Sequence, residues 1–446
     1  MHLPDPSTTT ALRGPCLTFV GNPFVSGDQA ALHYEPDGLV VMRNGLIEAF
    51  GDYRSLRAQL GDAPITCFSK DHLILPGFID AHVHYPQLQV MGSYGKRLID
   101  WLNEYTFIAE QQFADYGYAL SAAHTFLQET LRSGTTTAAV YCTVHPQSAE
   151  ALFTAAYAQN RRIIAGKVMM DRNAPEALTD SATQSYDDSL SLLERWHGKG
   201  RLSYAITPRF APTSTPEQLE AAGVLWRKHP SAYMQTHLSE NTEELAWVKS
   251  LFPSRKNYLD VYAHAGLVGP RALFGHSIHL SEHEWQQLAE TRSSVIHCPT
   301  SNAFLGSGLF NFERALEHAR PVLTGLATDV GGGTSLSMLQ TMGSAYSIGQ
   351  FGHYSLSAAK AFYLATRGGA AALNLDSTVG RLQAGYEADV LVLNLKSTPL
   401  IRQRMQHCVS LEEALFIHMI MGDDRATESV YVAGEPAYSR SAEPQQ

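Results

Sequence analysis

Short apolar runs recur eight times between residues 75 and 329, separated by segments of helical period. The strand-like runs are 78–84, 135–142, 162–170, 202–210, 232–239, 272–279, 295–298 and 322–329. Helical spacing of apolar residues fits 116–132, 148–160, 186–196, 216–228 and 242–251. Thr215-Pro216-Glu217-Gln218 has the form of a capping box with proline at the first helical position, and Ser281 with Glu284 opens a further helix the same way. Strands that alternate with helices pair in parallel, and eight of them over this length predict an α/β fold, a (β/α)8 barrel.

The two ends have a different character. Residues 16–20, 30–34, 38–42 and 46–50 read as short strands separated by turn signals such as Pro36-Asp37-Gly38, and β character returns at 388–393 and 429–432. The simplest arrangement is a small β-sandwich built jointly from both ends. Residues 1–74 and 380–446 would supply its two parts, and 75–379 the barrel. Positions up to about Cys16 and the tail 439–446 read as loosely ordered, and 411–421 as less regular.

Composition excludes several function classes. The net charge of −10 with no basic block argues against nucleic-acid partners. No apolar run approaches the ~20 residues that span a bilayer, and the first residues lack a signal-peptide pattern. Five scattered cysteines, Cys16, Cys67, Cys142, Cys298 and Cys408, suit neither a disulfide framework nor a cysteine zinc knuckle. A reducing, cytoplasmic setting is the expectation.

In a (β/α)8 enzyme the chemistry lies at the C-terminal ends of the strands. The first run delivers His82-Val83-His84, two imidazoles on one face of a strand. With 19 histidines in the chain, such a pair alone is weak. The other strand ends add weight: Arg209-Phe210 on the fourth, His237 with Glu240 on the fifth, His276 and His279 on the sixth, Asp329 on the eighth. Placing so many polar groups at the ends of apolar strands is costly unless they work together. His82, His84, His237 and Asp329 offer nitrogen and oxygen donors suited to zinc or iron. Such an ion brings the pKa of a bound water to about 7. Four protein ligands exceed the usual three plus water, so Asp329 is expected to be a weak ligand acting mainly as a base. Glu240 is either a proton shuttle or a helix-initiating acid, and both roles are compatible. Arg209 offers a planar fork for a carbonyl, and Phe210 a face for a flat ring. The glycine-rich stretches Gly331-Gly332-Gly333 and Gly306-Ser307-Gly308 lack the remainder of any phosphate or dinucleotide fingerprint.

Pro76-Gly77-Phe78-Ile79-Asp80-Ala81-His82-Val83-His84, the histidines of strands five and six and the aspartate of strand eight together resemble the amidohydrolase superfamily. So does the closing segment Gly380-Arg381-Leu382 to Ala388-Asp389-Val390. Within that superfamily the chain is most similar to the guanine deaminase family, through Tyr85-Pro86-Gln87, the block from Trp101 to Glu110, Thr207-Pro208-Arg209-Phe210, Thr236-His237-Leu238-Ser239-Glu240-Asn241 and His297-Cys298-Pro299-Thr300-Ser301-Asn302. The resemblance implies one zinc on His82, His84, His237 and Asp329, with His276 beside it. Arg209 stands where binuclear relatives carry a carboxylated lysine, which favours a single metal. It also implies a homodimer, and guanine held by Gln87, Arg209, Phe210, His237 and Glu240. The implied reaction is attack of an activated water on C2, with Asp329 as base. Glu240 carries a proton to the adjacent ring nitrogen, His276 hydrogen-bonds the attacking oxygen, and xanthine and ammonia result. His279 departs from the family pattern, leaving its role open. The alternatives are a related enzyme acting on 8-oxoguanine or a triazine, and a non-catalytic scaffold.

Overall fold

The computed structural model describes residues 9–61, 63–94 and 97–442. Its centre is a barrel of eight parallel strands: Phe78–His84, Thr135–Tyr141, Arg162–Gly166, Leu202–Pro208, Tyr233–Leu238, Ala272–His276, Ser294–His297 and Leu323–Leu326. The expected (β/α)8 architecture is therefore present, although several strands are shorter than their apolar runs. Strand pairing ends where the side chains turn into the site. The sixth strand stops at His276 rather than continuing to His279, and the eighth stops at Leu326, before Asp329. The first and last strands are joined at the same rim, where His84 N–H donates to Val330 O (2.8 Å) and Asp329 N–H to His82 O (2.9 Å).

Strands from both chain ends pair into one eight-stranded mixed sheet, as expected of a joint β unit. Its apolar residues from both ends, among them Leu12, Val40, Ile74, Val390 and Tyr431, share one core. The strand His72–Pro76 belongs to this sheet and Phe78–His84 to the barrel, so one extended stretch serves both. Gly77 makes the transfer possible: a Cβ there would lie 2.2 Å from Thr136 Oγ1. The units are also pinned electrostatically, since the half-buried Arg201 meets Glu387 (2.6 Å) and Asp389 (2.5 Å) of the closing segment.

Several expectations are corrected. Residues 9–16 are not loose but belong, with the expected strand residues that follow, to the strand Thr9–Phe19, because they find a partner in Leu32–Arg43. The turn expected at Pro36-Asp37-Gly38 is absorbed within that long partner strand at an irregularity opposite Gly14 and Cys16. The stretch Leu411–Met421 is a helix. It is apolar nearly all round, which hides the 3.6-residue period, and Leu415 and Met419 pack into the main core. The looseness expected of the first eight residues and of 443–446 concerns positions outside the described residues, while 439–442 of the expected loose tail end the strand Glu435–Ser439 and form a short 3-10 turn, Arg440–Ala442. No helix among the described residues is long and apolar enough to cross a membrane.

Candidate active site

The first barrel strand aims its histidines through a local irregularity. Ile79 and Ala81 face a core inside the barrel, whereas Val83 joins the core shared with the helices. A register shift between Asp80 and Val83 lies between these two settings, and His82 and His84 both end up buried against His237. Asp80 secures the bend: its carboxylate accepts from the backbone N–H of Thr328 (3.0 Å) and from the Thr328 hydroxyl. Backbone strain gathers at the same rim, for Ser239, His276, Ser277 and Asp329 all have φ between 51° and 64°. Each such residue costs on the order of 1–3 kcal/mol and persists only where its surroundings hold it.

His82, His84, His237 and Asp329 offer ligand atoms that all lie within 4.8 Å of one another. The Nε2 atoms of His82 and His84 are 3.2 Å apart, as are those of His84 and His237. Asp329 Oδ1 stands 3.2 Å from His82 Nε2 and 3.4 Å from His84 Nε2. Ligand edges of about 3.3 Å are what a tetrahedral ion with bonds near 2.0–2.1 Å requires. Burial lowers the pKa of all three imidazoles, most strongly for His84 and His237, so they are neutral donors. His237 Nδ1–H donates to Arg209 O (2.7 Å), which leaves the Nε2 lone pair facing the cluster. The donor set therefore fits a divalent ion.

Gly275 sets how closely this cluster packs. A Cβ there would lie 2.7 Å from His82 Cε1. The Gly275→Ala variant is expected to displace the His82 ring and to weaken metal retention by about 10- to 100-fold, the usual scale for disturbing a ligand's support. Elemental analysis after dialysis against a weak chelator, with a thermal melt as folding control, checks this.

His276, Glu240 and Asp329 form a second group beside the first. His276 Nε2 is 3.5 Å from Glu240 Oε2 and 3.6 Å from Asp329 Oδ2, while its Nδ1–H donates to Asn302 Oδ1 (2.8 Å). Burial opposes a charge on His276, but the two carboxylates outweigh it and raise its pKa. Burial also pushes Glu240 up to about 7. Asp329 behaves oppositely: the surrounding histidines overcome its burial and hold it well below the usual carboxylate range. Two buried acids pushed in opposite directions is the arrangement that gives a pair distinct acid and base assignments. His279 is not part of either group, since its Nε2 bonds to Ser307 O (2.8 Å).

A cavity joins these groups to a third set, Gln87, Arg209 and Phe210. Its walls include His84, Gln87, Arg209, Phe210, His237, Glu240, His276 and Asp329, together with Trp101 and Leu305. His82 lies behind this wall. Arg209 Nη1 reaches both oxygens of Glu110 (3.0 and 2.7 Å), and Gln87 Nε2 reaches Glu110 Oε1 (2.9 Å). Gln87 Oε1 in turn accepts from Gly331 N–H (3.2 Å). Glu110, Asn302 and Ser307, whose hydroxyl donates to Glu240 Oε1 (3.1 Å), received no role from the sequence reading. The available signal is Glu110 itself, an acid directly after the apolar run Phe107-Ile108-Ala109.

The sequence pattern of the amidohydrolase family matches residues 73–437. The chain is 49% identical over 412 residues to a guanine deaminase of Escherichia coli (strain K12), covering 92% of this chain and 93% of that protein. A solved structure of E. coli guanine deaminase aligns with a TM-score of 0.94 at 47% identity, over 97% of this chain and 100% of that one. A guanine deaminase from C. acetobutylicum, solved with guanine bound in its active site, aligns at a TM-score of 0.86 and 29% identity, over 97% and 100% of the two chains.

Proposed function

The chain belongs to the amidohydrolase family, and from that premise we propose that it hydrolyses guanine to xanthine and ammonia. The observation that carries this reading is the convergence of a metal-fitting cluster, a buried proton carrier and a pinned Arg–Gln pair on one cavity. Its similarity to guanine deaminases along nearly its whole length supports the choice of substrate. His82, His84, His237 and Asp329 would hold one ion, for which three imidazoles and one carboxylate suit zinc, with iron matching the same donors. When bound, that ion supplies an acidified water at neutral pH.

The chain's own residues do the rest. Asp329 turns Oδ1 toward the histidines and Oδ2 toward His276, so one carboxylate can both assist the ion and accept a proton from the attacking water. Glu240 takes up that proton and returns it to the ring nitrogen beside C2, which breaks the aromatic resistance to attack. His276 donates a hydrogen bond to the oxygen on which charge develops. The second proton of the attacking water then passes from the new C2 hydroxyl to the exocyclic amine, so that the C2–N bond breaks, ammonia leaves and the C2 carbonyl forms. Phe210 lies along the flat ring, and Arg209 and Gln87 supply donors for its carbonyl and ring edge. A homodimer in a cytoplasmic setting belongs to the same reading and rests on the family resemblance and the scattered cysteines.

Adenine carries an amine where guanine carries its carbonyl, and a site built to bond one rejects the other by about 10⁴-fold. Comparing kcat/KM for guanine, adenine, 8-oxoguanine and an aminotriazine tests the assignment. Guanine is expected to lead the panel, with adenine at or below about 10⁻³ of it. A higher value for the triazine or for 8-oxoguanine would overturn the substrate assignment.

A further inference from the structure

Glu110 is wholly buried and lies 99 residues from Arg209 in sequence, yet its two oxygens are both spent on that guanidinium and on Gln87. It sits in the cavity wall's second layer, at the end of the helical segment Phe107–Glu110. Two consequences follow from the geometry. Gln87 is fixed at both ends of its amide, with Nε2 on Glu110 and Oε1 on Gly331 N–H, so Glu110 supplies one of the two anchors that set its orientation toward the cavity. Arg209 presents a guanidinium whose Nη1 is occupied, while Nη2 and Nε have no protein hydrogen bond among the described residues. Its charge is matched inside the protein before any ligand arrives.

We propose that Glu110 is a positioning and charge-balancing residue that makes the Arg209 side of the cavity neutral, and so favours a neutral oxopurine over an anionic one. The inference rests on the guanine reading. Its chemical point lies in the difference between substrate and product: guanine is neutral near neutral pH, whereas xanthine ionises to a monoanion in that range. An unmatched buried guanidinium would seek an anion, because a buried charge left without a partner is strongly destabilising. Paired with Glu110 it can still donate hydrogen bonds to a carbonyl but gains little from a ligand's negative charge. The product is then released rather than retained. Glu110 acts through Arg209 and Gln87 rather than on the reacting atoms.

The test uses the metal-loaded full-length enzyme and its Glu110→Gln variant at mildly alkaline pH, where xanthine is largely anionic and hypoxanthine neutral. Equilibrium dissociation constants are measured for both ligands, beside KM and kcat for guanine. In Glu110→Gln, xanthine is expected to bind at least about tenfold more tightly relative to hypoxanthine than in the wild type. KM for guanine should rise more than kcat falls, and Glu110→Asp should restore the wild-type preference. If Glu110→Gln does not fold, the Arg209→Gln/Glu110→Gln double variant removes both charges and should keep the wild-type xanthine-to-hypoxanthine ratio. An unchanged ratio in Glu110→Gln, or a tenfold shift in the double variant, would overturn the proposal. Failure of the wild type to turn over guanine would instead strike the functional reading, since the ligand ratio is an equilibrium quantity that needs no turnover.

Discussion

Glu240→Gln is expected to lower kcat for guanine by about 10²- to 10⁴-fold, the range typical of a lost general acid–base group. Metal content and melting temperature should be little changed. Glutamine keeps the shape that fits beside Ser307 and His276, but it carries no exchangeable proton of suitable acidity. The pH dependence sharpens the prediction. Burial places the Glu240 carboxyl at about 7, and the resting enzyme needs it as carboxylate in order to accept the water's proton. The wild-type rate should therefore fall as the pH drops below about 7 and level off above it. The variant should lose that limb. A kcat within about threefold of wild type, or an unchanged acid limb, would assign the proton transfer to another group.

Stripping the metal is expected to have a comparable or larger effect. Water outside a metal's influence ionises only far above neutral pH, so activity should fall by at least about 10³-fold on chelation and return on adding zinc. Stability should fall as well. Without a cation, three neutral imidazoles and the Asp329 carboxylate turn their lone pairs on one another at 3.2–3.4 Å. An ion present at 1,000 times its dissociation constant contributes about 4 kcal/mol to folding, and its loss should appear as a clear drop in melting temperature. Activity that survives chelation, in protein shown by elemental analysis to be metal-free, would contradict the account. Reconstitution with zinc and with iron in parallel decides which ion supports turnover.

Much of this molecule is legible in its sequence because two periodicities do most of the placing. Alternation along residues 78–84 suggests His82 and His84 as a pair, though a register shift between Asp80 and Val83 is what aims them, and the recurrence of eight apolar runs puts His237, His276 and Asp329 on the same rim as Arg209. What the periodicities do not carry is choice of partner. Glu110 finds Arg209 and Gln87 only when the segment before the helix Tyr116–Arg132 folds back over the barrel mouth. Asn302 and Ser307 are small polar residues in loops, ordinary in sequence and informative only through His276 and Glu240. The exact strand ends escape for a related reason: apolar residues such as Ile278 and Ala327 continue past the point where ladder pairing stops and are still buried, Ala327 in the core inside the barrel. The helix Leu411–Met421 was hidden by uniform hydrophobicity, and the strand Thr9–Phe19 by a polar start whose partner lies more than a dozen residues away.

The most direct test of the central claim is to incubate guanine with metal-analysed protein in H₂¹⁸O and to follow purine and ammonia together. The account predicts xanthine and ammonia in equal amounts, with one ¹⁸O at C2 of the product and about one metal ion per chain. Intact guanine beside a fully loaded metal site would contradict it.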